Sequence, residues 1–508
     1  MLTARLALNS STPIGGISRD LFGGFVEHLG RHIYTGIFEP THPLADEDGF
    51  RTDVIELVKE LGVSTIRYPG GNFVSGFRWE DSVGPIENRP TRLDLAWHSK
   101  EPNRIGLHEF SQWLERVDSD LMLAVNLGTR GTAEALDLLE YANIRSGTEW
   151  SDARIRNGRN EPFSVRMWCL GNEMDGPWQI GHRSAEEYGR LAARTAHAMK
   201  LIDPDIRLVV CGSSSASMPT FGTWERTVLE HTYDLVDLIS CHAYYEEIDG
   251  DRASFLASSV NMDHFIETVI ATADHVGAAK KSSKRIDISF DEWNIWYNTR
   301  FEQVDKIEGI DNWPIAPRLL EDVYTVTDAV VFGSLIISLL KHADRVRSAS
   351  LAQLVNVIAP IMTEPGGPAW RQTTFHPFAL ASALARGEAL PVTVDSPKMT
   401  TALHGSVPVL DAVATHDSDS GTAALFLVNR SPDEKIEARI DIFSFAELEL
   451  LEVLTLSDPD PDATNTMNDP DRVRPHRNSA WKRQGCDLTL SLPPISWTCV
   501  KFAKSRGE

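Results

Sequence analysis

The sequence predicts an α/β protein: a (β/α)8 TIM barrel followed by an antiparallel β-sandwich of jelly-roll type. Three observations predict it. Between about residues 18 and 385, short apolar runs rich in Val, Ile and Leu alternate with longer segments of helical period. Eight such runs can be counted. After about residue 386 the helical period fades, and alternating segments follow one another between turn-rich clusters.

Taken in order, LTARLALN at the start reads as a strand ahead of the barrel, and residues 1–17 are assigned to a segment joining the sandwich. The eight barrel strands are expected near 21–27, 63–68, 121–126, 165–170, 206–211, 235–241, 285–290 and 349–355, within a catalytic region 18–385. Near-continuous apolar strands, each followed by a helix, call for a parallel sheet covered on both faces, and closing that sheet gives the barrel. Val54, Ile55, Leu57, Val58 and Leu61 mark one face of the first helix. Tyr188, Leu191, Thr195 and Met199 mark another, opened by Ser184 with Glu187 three residues on, a capping box. The segment 319–342 is dense enough in apolar residues for a helix covered on most sides and reads as the longest. An open doubly wound sheet is the rival, but GISRDLFGG does not supply the GxGxxG it would need. AALFLVNRS, IEARIDIF, LELLEVLTL, DLTLSLPP and SWTCVKFA supply the sandwich, 386–508, with 457–480 as a long polar loop.

Composition narrows the function. A formal net charge of -23 repels polyphosphate and anionic lipid, so neither nucleic acid nor a membrane surface is an expected partner, and a neutral substrate fits better. Five cysteines, without zinc spacing and mostly in apolar runs, suit a reducing compartment. No signal-type run or span of 18 apolar residues is present, and the chain reads as cytoplasmic. No HExxH motif points to a metal, and Gly70-Gly71 is not followed by GK[ST], so no cofactor is expected.

Function in such barrels lies where the strands end. Those ends carry Glu27, the string from Arg67 to Asn72, Asn172-Glu173, His242, Tyr244, Asp291-Glu292 and Gln353. Amides and carboxylates bond hydroxyls and aromatic faces stack on sugar rings, so this rim is a carbohydrate kit. Glu173 and Glu292 close the fourth and seventh strands, whose ends face each other across a closed barrel. Glycoside hydrolysis needs such a pair, at about 5–5.5 Å for retention or about 6.5–9.5 Å for inversion, and the sequence leaves the two open. Asp291 is expected to point away from Glu292, because side chains alternate along a strand.

The strings RYPGGNFVSGFRWEDSVGP (67–85), WCLGNEMDGPWQIGH (168–182), ISFDEWNIWY (288–297) and FGGFVEHLGRHIYTGIFEP (22–40) resemble glycoside hydrolase family 51, the α-L-arabinofuranosidases. The resemblance runs over nearly the whole chain. It implies a retaining, exo-acting hydrolase of terminal arabinofuranosyl units, acting on arabino-oligosaccharides as a hexamer. Glu173 would be the acid/base and Glu292 the nucleophile. Asn172 would bond the 2-hydroxyl, Glu27 and Asn72 other hydroxyls, and Tyr244 would orient Glu292. Gln353 would contact the sugar or leaving group, Trp296 would wall the pocket, and Trp97 would lie at the leaving-group side. Apart from the resemblance, Trp178 in DGPWQIGH sits close enough to Glu173 in sequence to line a subsite. His242, read from its strand end alone, is either a support for the nucleophile through hydrogen bonds or an ordinary satisfied histidine. The rivals are an endoglucanase, xylanase or β-xylosidase on the same scaffold, or a non-catalytic sugar-binding protein.

Overall fold

A computed structural model of the chain describes residues 1–504. Eight parallel strands close into a barrel: Gly23–Phe25, Thr65–Tyr68, Asp120–Ala124, Met167–Cys169, Arg207–Val210, Leu238–Tyr245, Asp287–Ile295 and Val346–Leu351. Each overlaps one of the apolar runs. The last ends at Leu351, so Gln353 lies in the loop beyond it and not within the strand. The sixth and seventh strands are the long ones, and they carry His242 and Glu292 within the sheet.

The helices follow the sequence signals with two corrections. The helix opened by Ser184 is Ala185–Ile202, and Ser184 and Glu187 cap each other there. The segment 319–342 is helical only over Val326–Lys341, because Thr325 and Asp328 form a capping box that starts the helix late. The longest helix is instead Ser258–Lys280, of 23 residues. In Val326–Lys341 every residue from Val326 to Leu340 is buried. One side meets the barrel wall, and the other meets the second body of the fold.

That body is two facing sheets. One holds five strands, with Leu2–Leu8 between Val392–Asp395 (antiparallel) and Ile436–Asp441 (parallel). The other is a seven-stranded antiparallel sheet that includes Gly15–Gly16. Leu6, Leu390, Leu425, Ile440, Leu490 and Val500 fill the space between them. The pairing of Leu2–Leu8 with Ile436–Asp441 is a parallel exception in an otherwise antiparallel sandwich.

Barrel and sandwich share one core. Phe426, Leu456 and Trp497 of the sandwich pack in the same apolar cluster as Val331, Phe332 and Leu335. Gly333 permits this close approach, since a Cβ there would stand 2.3 Å from Trp497 Cδ1. Asp411 binds Lys341 from the barrel side and Arg430 at 2.6 Å, and Arg430 donates to Ser259 Oγ at 2.6 Å. Burial opposes ionisation of Asp411, but Lys341 and Arg430 pull its pKa down to about 2. No helix among the described residues is long and apolar enough to cross a membrane.

Candidate active site

At the carboxyl ends of the strands the fold gathers acids, amides and aromatics into one buried cluster. Gly171, at φ 94°, turns the chain out of the fourth strand, and Glu173 follows in the left-handed region at φ 43°. Such backbone is uncommon for a residue with a Cβ and turns up at working sites. Glu292 is presented differently, from within the seventh strand. There the ladder slips: Ser240 pairs with Ser289 but His242 pairs with Glu292, leaving two residues opposite one. This bulge breaks the alternation. Asp291 therefore does not point away, as simple alternation predicts. It faces the same network as Glu292, with Oδ1 2.9 Å from His242 Nε2.

His242 links the acids. Its Nδ1 lies 2.9 Å from Glu173 Oε1 and 3.5 Å from Glu292 Oε2. Burial lowers its pKa, but Glu292, Asp291 and Glu173 outweigh burial and raise it to about 10. The ring is thus a cation at neutral pH, donating from both nitrogens. Glu292 receives Arg67 Nη1 at 2.7 Å on Oε1 and the Tyr244 hydroxyl at 2.7 Å on Oε2. Burial raises the pKa of Glu292; His242 and Arg67 pull it back, Glu173 pushes it up and the Tyr244 hydroxyl lowers it. Three carboxylates face two cations, so one further proton makes the cluster neutral.

Glu173, His242 and Glu292 each contribute one atom to a trio in which all separations are within 4.8 Å. Trp178 donates its indole N–H to Glu173 Oε2 at 2.7 Å while half its surface faces solvent, so it joins the acid to the open rim.

On the opposite side Glu27 is fully enclosed. Oε1 receives the Phe73 N–H at 2.8 Å and the Trp97 indole at 2.9 Å, and Oε2 receives Gln353 Nε2 at 3.2 Å. The resemblance implies Trp97 at the leaving-group side, and its indole N–H donates to Glu27. Trp97 rides on a hairpin, Arg92–Asp94 and Ser99–Glu101, too short and polar to be legible in the sequence. Gly71 makes room for Glu27: its φ is 62°, and a Cβ there would stand 2.3 Å from the carboxylate. Asn172 receives Arg67 Nη2 on Oδ1 at 2.7 Å and directs Nδ2 toward Asn72 Oδ1 at 3.4 Å. Trp296 stands edge-on to Tyr244 at 5.1 Å, against Phe301, and packs on the apolar cluster of Leu29, Leu319, Leu320 and Ile358.

The structure therefore brings Glu173, Glu292, His242, Tyr244, Asn172 and Asn72 together, with Glu27, Gln353 and Trp97 as a second group beside them. Sequence reasoning assigned no role to Arg67, which bridges Glu292 and Asn172. Its signal was available: an arginine inside the apolar strand TIRY is buried at a cost unless anions await it.

Comparison with known proteins places the chain. The sequence matches the Alpha-L-arabinofuranosidase 1 domain over residues 57–254 and the Alpha-L-arabinofuranosidase C-terminal domain over 291–496. It is 58% identical over 505 residues to an intracellular exo-α-(1→5)-L-arabinofuranosidase of Streptomyces lividans, covering 99% of this chain and 76% of that protein. It is 57% identical over 510 residues to an exo-α-(1→6)-L-arabinofuranosidase of Bifidobacterium longum, covering 98% and 97%. A solved family 51 α-L-arabinofuranosidase from Bifidobacterium longum superposes with a TM-score of 0.95 at 51% identity, covering 99% of this chain and all of that one. These relatives lend no support to the endoglucanase, xylanase, β-xylosidase or non-catalytic alternatives. The chain belongs to the α-L-arabinofuranosidases of glycoside hydrolase family 51.

Proposed function

We propose that this enzyme removes terminal α-L-arabinofuranosyl units from neutral oligosaccharides by double displacement, with Glu292 as nucleophile and Glu173 as acid/base. The observation that carries the mechanism is the closeness of the two carboxylates, each with an oxygen inside a trio no wider than 4.8 Å. That span falls short of the roughly 6.5–9.5 Å used by inverting pairs and suits direct attack, which uses carboxyl groups about 5–5.5 Å apart. In the first step Glu292 bonds to the anomeric carbon while Glu173 gives its proton to the departing oxygen. Water then attacks the arabinosyl ester as Glu173 takes a proton back, and Glu292 leaves as carboxylate. Arg67, His242 and Tyr244 hold Glu292 ionised and aimed. Glu27, Asn72, Asn172 and Gln353 bond the furanose hydroxyls, and Trp296 closes one wall.

Relatives are named for (1→5) and (1→6) linkages and several are named intracellular. Arabino-oligosaccharides inside the cell are therefore the proposed substrates. A hexameric assembly enters this proposal through the family resemblance, and sedimentation of the purified protein checks it.

The test is chemical rescue. Glu292→Ala abolishes turnover of nitrophenyl arabinofuranoside, and added azide restores it as a glycosyl azide of inverted configuration. A rescued product of retained configuration refutes the assignment.

A further inference from the structure

Behind the sugar-facing groups lies a buried histidine that the mechanism does not use. His32 is completely enclosed, and its Nδ1 stands 2.6 Å from Gln353 Oε1. The same oxygen accepts the main-chain N–H of Glu27 at 3.1 Å. A peptide N–H can only donate, so the atom facing it must be the amide oxygen of Gln353 and not its nitrogen. With that oxygen fixed, His32 Nδ1 must carry a hydrogen and donate. His32 Nε2 is buried without a partner, as suits a neutral ring whose single proton sits on Nδ1. Burial agrees, holding the pKa of the ring down at about 3.

Both acceptor positions of Gln353 Oε1 are now occupied. Its nitrogen faces the other way, 3.2 Å from Glu27 Oε2. An amide nitrogen has two hydrogens, one for Glu27 and one for a ligand. Gln353 sits past the end of the strand Val346–Leu351, so no sheet ladder sets the direction of its side chain. Its aim depends on these two bonds.

We propose that His32 is a positioning residue that locks the Gln353 amide so that it meets the sugar only as a donor, beside Glu27 as an acceptor. The pair then selects a hydroxyl, which accepts from Gln353 and donates to Glu27. A carbon bearing hydrogen or fluorine cannot do both. The proposal rests on the reading of this pocket as the arabinofuranosyl site.

The experiment compares wild type, His32→Phe, His32→Asn and Gln353→Ala on nitrophenyl arabinofuranoside and on its 2-, 3- and 5-deoxy analogues. His32→Phe keeps a ring but removes the donor, and kcat/KM on the parent sugar is expected to fall about tenfold to hundredfold. One deoxy analogue loses its penalty in Gln353→Ala, and the same analogue loses it in His32→Phe. His32→Asn, whose amide N–H can replace Nδ1–H, recovers most of the lost rate. A His32→Phe enzyme slowed equally on all four sugars, or an Asn variant no better than Phe, overturns the proposal. Should His32→Phe fail to fold, nitrogen-15 NMR of histidine-labelled wild type decides. His32 is expected as the Nδ1–H tautomer from pH 5 to 9, and an Nε2–H or charged ring overturns the assignment. A wild type that leaves the parent arabinofuranoside intact defeats the functional reading itself, a result separate from these.

Discussion

Replacing His242 with asparagine removes the cation that sits among three carboxylates while leaving an amide that can still reach Glu173. The consequence can be worked from one distance. His242 Nδ1 lies 3.5 Å from Glu292 Oε2. Two unit charges at that separation, in surroundings of effective dielectric about 20, interact by about 5 kcal/mol. That is the ceiling, about 3.5 pH units at 1.36 kcal/mol each. Arg67 stays in place at 2.7 Å from the other oxygen, and the neighbouring Glu173 can share a proton, so most of the ceiling is compensated. The expected result is a rise of about 1–2 pH units in the acid limb of the kcat/KM profile. The sign follows from the role proposed for Glu292. A nucleophile must be ionised to attack, losing a cation makes ionisation harder, and the variant needs a higher pH to reach the same activity. Because the raised pKa of His242, about 10, keeps the wild-type ring charged across the assay range, the comparison is clean from pH 4 to 9. The assay is initial rates on nitrophenyl arabinofuranoside at low substrate. A variant slowed by the same factor at every pH, with an unmoved acid limb, refutes the electrostatic role and leaves His242 a spacer.

Two further perturbations test other parts of the structure. Gly71→Ala forces a Cβ to 2.3 Å from the Glu27 carboxylate at a φ of 62°, so Glu27 must move; kcat/KM is expected to fall about hundredfold or more with an unchanged circular dichroism spectrum. Asp411→Asn removes the anion between Lys341 and Arg430. The pKa of Asp411 is depressed from 3.8 to about 2, so its stabilisation, about 2.5 kcal/mol, is present above pH 4 and is lost as pH falls toward 2. Urea unfolding should show the variant weaker at pH 6 and the gap about halved by pH 3; an equal gap at both values counts against the ion pairs.

Much of this architecture was legible because of burial. A parallel strand covered on both faces is a short apolar run, and Thr65–Tyr68, Arg207–Val210 and Leu238–Tyr245 announced themselves that way. Ser184 and Glu187 marked a helix start by composition alone. What escaped depends on contacts distant in sequence. The extra residue before Glu292 turns Asp291 inward, and a bulge of that kind is a mismatch between two strands that neither strand records by itself. Arg67 looked like part of a string until the fold set Glu292 and Asn172 against its two nitrogens. The start of Val326–Lys341 was misjudged because Leu319 and Leu320 are apolar for another reason: they belong to a small separate core with Leu29, Val357 and Ile358.

The strand Leu2–Leu8 has a consequence for how the polypeptide can be made and divided. Its parallel neighbour, Ile436–Asp441, lies more than four hundred residues downstream, so during synthesis the first strand waits through nearly the whole chain before that partner exists. The barrel is, in effect, a long insertion within a split sandwich. Expressed alone, residues 386–508 would lack a central strand and present two raw edges to solvent. The same excision would strip the helix Val326–Lys341 from Phe426, Leu456 and Trp497, so no single contiguous segment encodes the sandwich with its core covered.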